Sequence, residues 1–248
     1  MFGYVQRETG KKSGEAGERI ILGMRFFCVS VAAGGGTPEF LLRRRMTAAA
    51  KKLRRAGVTR AVFPAEFPYT GLFIRWGVLP VETLPLLRSL AAEMVRAGMA
   101  ERGLSSGSAH LAVTGEWLTY DLTRTVTELC LHNRYVLLDV PYGGEELCRS
   151  LRREYGVSLL LKPGKEQLEQ ADVLLLFAQR GDLSCKNPVV LPLFDGAEVT
   201  SLPSLRLPVK LEGHVPEGCD RTQLFAALLE AGVLRSGQIE IIRTPADA

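Results

Sequence analysis

Residues 110–177 alternate between short apolar runs and amphipathic stretches, and this alternation limits the possible folds more than any other feature of the chain. HLAVTG, RYVLLDV, VSLLL and QADVLLLF read as buried strands, and DLTRTVTELCLHN and GGEELCRSLRREYG read as helices between them. Strands joined through helices pair in parallel, because each helix carries the chain back along the sheet. The pattern therefore predicts an α/β fold with a doubly wound, mostly parallel sheet.

A smaller α/β unit is expected to precede this sheet, at residues 24–103. MRFFCVSV reads as a buried strand, and Gly34–Gly36 as the turn that follows it. The next helix should bury one face, formed by Leu42, Met46, Ala49, Leu53 and Ala56. VTRAVFP predicts a second strand, and a second helix is expected from about residue 84 to 96, stopped by Gly98.

The two ends of this unit are set by composition. ERGLSSGSA, rich in Gly and Ser, is the predicted linker, so the larger domain is expected at 108–248. Residues 1–23 mix Gly, Lys, Glu and Arg with little periodicity, and they are interpreted as a disordered leader or a dispensable extension. The alternative is a secretory signal, with basic residues before the apolar run 20–33, but Arg25 interrupts that run.

Charge and cysteine content indicate the class of protein. Residues 1–100 hold 16 of the 31 Lys and Arg but 7 of the 27 Asp and Glu, so this part is basic. The five cysteines are spread without any C-x-x-C pair, so the sequence predicts no disulfide framework and no metal site. No segment reaches the roughly 20 apolar residues of a membrane span. A cytoplasmic location, without membrane attachment, is the expectation.

The start of the larger domain resembles the dinucleotide-binding domain of the Rossmann type. HLAVTG and VLLDV look like its first two strands, and QADVLLLF is similar to a later strand. The resemblance implies that Asp139, 24 residues after Gly115, would accept hydrogen bonds from an adenosine ribose. It also implies that a nucleotide would contact the first turn, the second turn and the loop after the later strand, through Thr114, Gly115, Glu116, Asp139, Gly143, Gly144 and Gln179.

The phosphate-binding turn departs from that family. A G-x-G-x-x-G turn is expected, but the chain reads Gly115-Glu-Trp117-Leu-Thr-Tyr120, which keeps one glycine of three. A bulky side chain at either changed position would push the helix away or fill the pyrophosphate space. For Asp139 a second interpretation stays open, in which it is a helix cap or a loop acid before Pro141.

Two features of the N-terminal unit could bind a partner or ligand. Eight cations lie between Arg43 and Arg60 with no acid among them, which suits nucleic acid, although they could equally solvate one face of a helix. The connection FPAEFPYTGLFIRWGVLP collects aromatic rings around Glu66 and Arg75. Such rings can line a ligand pocket, or they can cover the end of a sheet.

The sequence assigns no catalytic residue. His110, His132 and His214 stand without an orienting partner at a recognised spacing, and whether the protein is an enzyme stays open. We therefore predict a degenerate Rossmann-like protein that binds a small ligand or a protein partner at the strand carboxyl ends. The alternatives are an NAD(P)-dependent oxidoreductase with an atypical phosphate turn, and nucleic-acid binding through the basic helix. The cofactor and the oligomeric state are not determined by the sequence.

Overall fold

The chain folds into two compact units, and the first of them is discontinuous in sequence. A computed structural model describes residues 1–8, 16–34, 36–197 and 204–242. Met1–Leu86 and Leu205–Glu240 form the first unit, and the described parts of Leu87–Ser204 and Ile241–Ala248 form the second. These boundaries differ from the predicted domains at 24–103 and 108–248, because a C-terminal segment returns to the first unit.

Five strands form the sheet of the first unit, in the order β2-β3-β1-β4-β5. Neighbouring strands are parallel, except that β2 runs antiparallel to β3. The strands are β1 (Phe2–Glu8), β2 (Ala16–Ile21), β3 (Met24–Ala32), β4 (Arg60–Val62) and β5 (Leu79–Pro80). The predicted strand that starts at Met24 is confirmed, as is the strand within VTRAVFP.

Within residues 1–23, the expected disordered leader is contradicted by two strands, Phe2–Glu8 and Ala16–Ile21. The strand β1 lies in the middle of the sheet, between β3 and β4, with Tyr4 and Val5 buried. The strand β2 is an edge strand whose side chains are mostly exposed, so its polar composition reflects one solvated edge of a sheet. Residues 9–15 lie outside the described part of the chain.

The basic helix α1 (Glu39–Arg55) covers this sheet with the predicted face. Leu42, Met46, Ala49 and Leu53 are buried, and Ala50 joins them. Three further helices follow along the chain: α2 (Thr70–Arg75), α3 (Leu84–Ser89) and α4 (Ala91–Glu101). The single helix expected over 84–96 is therefore two helices, and α4 continues through Gly98. A Cβ atom at Gly98 would come within 2.9 Å of Val189, so this glycine permits close packing and does not end the helix.

The second unit has the predicted doubly wound parallel sheet. Its strand order is β10-β9-β6-β7-β8, and every neighbouring pair is parallel. The strands are β6 (His110–Thr114), β7 (Tyr135–Asp139), β8 (Leu160–Leu161), β9 (Val173–Leu176) and β10 (Val189–Pro192), and the connecting helices are α5 (Tyr120–His132), α6 (Gly144–Tyr155) and α7 (Lys165–Gln170). Numbered by chain order within the unit, the strands run 3-2-1-4-5, which is the Rossmann order.

The C-terminal segment does not extend that sheet, contrary to the domain prediction. The strands β11 (Ser204–Arg206) and β12 (Glu240–Ile242) pair with each other as a two-stranded sheet. A short helix α8 (Val209–Glu212) precedes α9 (Arg221–Glu230), and α9 packs beside β4 of the first unit. Gln223 accepts a hydrogen bond from the backbone N–H of Phe63 at 3.0 Å, and Glu230 pairs with Arg60. Among the described helices, none combines the length and apolar character needed to cross a membrane.

Candidate functional site

The strands β6 and β9 lie side by side, and the winding of the second sheet reverses between their carboxyl ends. The chain leaves β6 towards β7 on one side, and it leaves β9 towards β10 on the other. In open α/β sheets such a reversal creates a crevice that holds ligands. A crevice of about 320 Å³ lies here, and we call it the switch-point crevice; it is lined by Arg88, Glu116, Trp117, Thr119, Phe177, Ala178, Gln179, Phe194 and Asp195.

The close packing of α5 onto the end of β6 favours a glycine at position 115. A Cβ atom at this position would lie 2.5 Å from Cδ1 of Leu122, so the buried Leu122 side chain would have to shift. Thr119 caps the helix, accepting a hydrogen bond from the N–H of Leu122 through its side-chain oxygen. The first turn therefore keeps the glycine that lets helix and strand approach closely.

Of the two effects expected for bulky side chains at Trp117 and Tyr120, the structure tests one, the displacement of α5. Their side chains are 64% and 80% exposed, so neither pushes α5 away from the sheet. The Trp117 ring instead lines the crevice and stacks against Tyr142, with centroids 6.5 Å apart and planes 21° apart. The two aromatic rings thus join the first and second turns at the carboxyl edge.

Asp139 ends β7 as predicted, but its carboxylate already has a partner. Its Oδ2 accepts a hydrogen bond from Nη1 of Arg180 at 2.5 Å, and both side chains are about a quarter exposed. The same guanidinium donates to both oxygens of Asp182, at 2.8 and 3.0 Å. The hydrogen bonds from Arg180 lower the pKa of Asp182 to about 2. Asp139 is thus the last residue of β7 and pairs with Arg180, and the N-cap of α6 is Gly143.

The glycines of the second turn are explained by backbone geometry and packing. Gly143 precedes α6 with φ of +82°, a left-handed conformation that favours glycine. A Cβ at Gly144 would come within 3.2 Å of Leu161 and Val140. Both positions lie at the predicted edge of the sheet, and whether they contact a ligand stays a prediction.

Thr114 is the last residue of β6, and its side chain is fully buried. Its hydroxyl has no hydrogen-bond partner among the residues that the structure describes. Buried hydroxyl groups are normally paired, so one at the switch point marks a polar position that a ligand or water could satisfy. Glu116 and Gln179, two further predicted contacts, line the switch-point crevice, whereas Thr114 does not.

Aromatic rings and opposite charges share the walls of the switch-point crevice. Phe177 is largely buried and Trp117 is exposed, so the crevice offers apolar surface both in its interior and at its rim. Arg88 is held by backbone carbonyls: Nε donates to Leu193 at 2.8 Å, and Nη2 donates to Phe177 at 3.4 Å. Two carboxylates, Glu116 and Asp195, complete the charged groups, so the lining carries more negative than positive charge.

None of the three histidines lines the switch-point crevice. His110 begins β6, at the opposite edge of the sheet, and stacks on Tyr135 with centroids 4.7 Å apart. Both rings line a cavity of about 710 Å³ at the amino ends of the strands, where open α/β sheets do not usually bind ligands. In residues 1–8, 16–34, 36–197 and 204–242, no three His, Cys, Asp or Glu side chains converge as a metal site would require.

In the first unit, the aromatic connection after β4 is largely core. Phe63 and Phe73 are buried, with ring centroids 5.1 Å apart, and Phe67 stacks on Phe63 at 5.4 Å. These rings belong to the buried core that α1 packs against. Tyr69 and Arg75 differ from them, because both line a separate cavity of this unit.

Comparisons with known proteins support no closer assignment. No family model and no curated protein matches the chain. Among solved structures, L-tryptophan dehydrogenase from Nostoc punctiforme matches at 15% identity and a TM-score of 0.30, over 62% of this chain and 45% of that one. Shikimate 5-dehydrogenase from Listeria monocytogenes matches at 10% identity and 0.28, over 61% and 58%. Ornithine carbamoyltransferase from Pyrococcus furiosus matches at 12% and 0.27, over 63% and 52%. The chain thus spans about half the length of these proteins, and its Rossmann-like fold follows from the strand order above.

Proposed function

We propose that this Rossmann-like protein binds a compact, planar organic molecule in the switch-point crevice, and that the ligand is cationic or neutral and not a dinucleotide. The observation that carries the proposal is the ion pair between Asp139 and Arg180. It engages the carboxylate that would hold the ribose of a dinucleotide, while the neighbouring crevice stays open.

The charge of the lining supports a ligand without phosphate groups. Glu116 and Asp195 contribute two negative charges, and Arg88 contributes one positive charge that two backbone carbonyls already engage. A pyrophosphate would meet net repulsion here, whereas an amine or amidine would find carboxylate acceptors. The turn before α5 also lacks the second and third glycines that allow a backbone to approach a pyrophosphate.

The aromatic walls support a planar ligand. Trp117 presents an exposed ring at the rim, and Phe177 and Phe194 lie within the crevice. Stacking of a planar ring on an aromatic side chain contributes about 1–3 kcal/mol. A volume of about 320 Å³ is near the lower end of the range for small-molecule sites, so the ligand should be compact.

Trp117 provides the readout for a binding test. The chain holds two tryptophans, and the Trp76→Phe variant leaves Trp117 as the fluorophore. We would titrate this variant with tyramine as a planar cation, adenosine as a planar neutral molecule, and NAD as the dinucleotide. The proposal expects saturable quenching by tyramine or adenosine, and no saturable response to NAD.

Substituting the two carboxylates of the crevice tests whether tyramine binds there. Glu116→Gln and Asp195→Asn should each weaken tyramine binding by about tenfold, because each removes a hydrogen bond to a charged group. Asp121→Asn is the matched control, since Asp121 lies in the first turn of α5 but does not line the crevice. Equal effects of all three variants would show that tyramine responds only to net charge, and the proposal would be wrong.

An NAD(P)-dependent oxidoreductase is the second candidate, favoured by the 3-2-1-4-5 strand order and by the position of Asp139 at the end of β7. In this candidate, the Asp139 carboxylate would have to release Arg180 and bind the ribose of the cofactor instead. Saturable NAD binding that is lost in Asp139→Ala would establish this candidate in place of the first.

A further inference from the structure

The first unit contains a second candidate site, formed where α1 and α2 approach each other. A cavity of about 460 Å³ lies between the start of α1, the connection after β4, and α2. Glu39 and Arg43 line it from α1, Tyr69 from the connection, and Gly71 and Arg75 from α2. We call it the α1–α2 cavity.

Two guanidinium groups from different helices reach this cavity without a carboxylate partner. Within the described residues, neither Arg43 nor Arg75 forms a salt bridge or donates a side-chain hydrogen bond. The carboxylate of the cavity, Glu39, instead accepts a hydrogen bond from the Tyr69 hydroxyl at 2.8 Å. The charged groups that line the cavity therefore have a net positive charge, and the described residues offer no side-chain partner to its two guanidinium groups.

A third cation lies near the same phenol. The hydrogen bond to Glu39 raises the pKa of Tyr69, and the positive charges of Arg7 and Arg43 act on it in the opposite direction. Arg7 belongs to β1, so the charge of the central strand also acts on this phenol. Cations from α1 and α2 thus border the cavity, and one from β1 acts electrostatically on its phenol.

The wall of the cavity at Gly71 has open space next to it. A Cβ atom built on Gly71 meets no atom within 4 Å, and Gly71 has ordinary helical backbone. Arg43 and Arg75 lie on different helices, and both side chains are exposed. Here they border a cavity large enough for a small ligand.

We propose that the α1–α2 cavity binds a small multivalent oxyanion, a phosphorylated or polycarboxylate compound, through Arg43 and Arg75. A guanidinium group presents a planar pair of N–H donors that matches carboxylate and phosphate oxygens in a bidentate arrangement. The Tyr69 hydroxyl engages Glu39 and so reduces the repulsion that this carboxylate would exert on an anion. This site is independent of the switch-point crevice, because every residue that forms it belongs to the first unit.

The test uses Trp76, which follows Arg75 at the end of α2. The Trp117→Phe variant leaves Trp76 as the fluorophore, and we would titrate it with inorganic pyrophosphate and with citrate at constant ionic strength. Saturable binding of either anion is expected, and Arg43→Gln or Arg75→Gln should weaken it at least about tenfold.

Two controls separate a site from general attraction. Arg44→Gln removes the same charge from the adjacent, exposed position of α1, which does not line the cavity, and it should leave the affinity within about twofold. Gly71→Glu should abolish binding by placing a carboxylate beside the arginines, whereas Gly71→Ala fits the open space and should retain it.

Three outcomes would overturn the proposal: no saturable binding of either anion, equal loss in Arg43→Gln and Arg44→Gln, or full binding by Gly71→Glu. Equal loss in the two arginine variants would show that polyanions bind the exposed basic face of α1, as the nucleic-acid alternative expects. The two proposals can fail separately. If the Trp117→Phe variant binds an anion but the Trp76→Phe variant responds to neither tyramine nor adenosine, the α1–α2 cavity is supported and the proposed crevice is contradicted.

Discussion

Replacing Gly3 by alanine tests whether β1 is a central strand of the first unit. A Cβ atom at Gly3 would lie 2.9 Å from Cγ1 of Val58, and 3.0 Å from both Cβ of Ala61 and Cδ2 of Leu53. All three neighbours are fully buried, so they have little room to move. If β1 lies where the structure places it, the added methyl group must force a shift in the core.

The cost can be worked out from these contacts. Overpacking a core by one methyl group destabilises a protein by about 1–3 kcal/mol. The lower chain entropy of alanine in the unfolded state offsets about 0.4–1 kcal/mol of this. We therefore expect Gly3→Ala to lower the free energy of unfolding by about 1–2 kcal/mol. With a urea dependence near 2 kcal/mol per molar, the midpoint should fall by about 0.5–1 M.

Urea unfolding of the Trp117→Phe protein, followed by the fluorescence of Trp76, measures the first unit by itself. Gly17→Ala is the matched control, because it makes the same change in edge strand β2, where an added Cβ meets no atom within 4 Å. Its midpoint should stay the same or rise. If Gly3→Ala and Gly17→Ala have equal midpoints, β1 does not pack against Leu53, Val58 and Ala61 as described.

Three further predictions concern the second unit. Because its hydrogen bonds to Arg180 lower the pKa of Asp182 from 3.8 to about 2, this carboxylate should stabilise the unit above pH 3.8 and lose that effect as the pH falls to about 2; acid unfolding of Arg180→Gln should lack this part of the pH dependence. Burial raises the pKa of Cys130 to about 12, so a thiol reagent at pH 8 should label exposed Cys185 first, and early labelling of Cys130 by mass spectrometry would contradict its burial. Asn187 donates to two backbone carbonyls at 2.7 and 2.8 Å, and Asn187→Ala should cost about 1–3 kcal/mol in urea unfolding followed at Trp117.

The second sheet could be predicted from the sequence because its strands are bounded by helices of clear periodicity. Every element expected between His110 and Phe177 is present, and Asp139 ends β7. The first strand was missed for a physical reason. Its buried run, Phe2 to Val5, is only four residues long, and the polar edge strand that follows it has the composition of a disordered segment.

The sequence predicted where the loops after the strands lie, but not the contacts that their residues make. The loops after β6, β7 and β9 all lie at the carboxyl edge, as expected. The pairing of Asp139 with Arg180 joins residues 41 apart in sequence, and no local pattern indicates such a partner. Gly98 shows the same limit, because its role depends on Val189, a residue of a distant strand.

The return of residues 205–240 to the first unit has a consequence for the order of folding during synthesis. The second sheet and its helices come from one continuous stretch, so they can fold as soon as that stretch has left the ribosome. The first unit begins earlier in the sequence but must wait, because α9 supplies the side chain of Gln223 that accepts the N–H of Phe63. The N-terminal strands would therefore spend the longest time without their full set of partners. A protein that is translated from its N-terminus would in this way form its later sheet before its earlier one is complete.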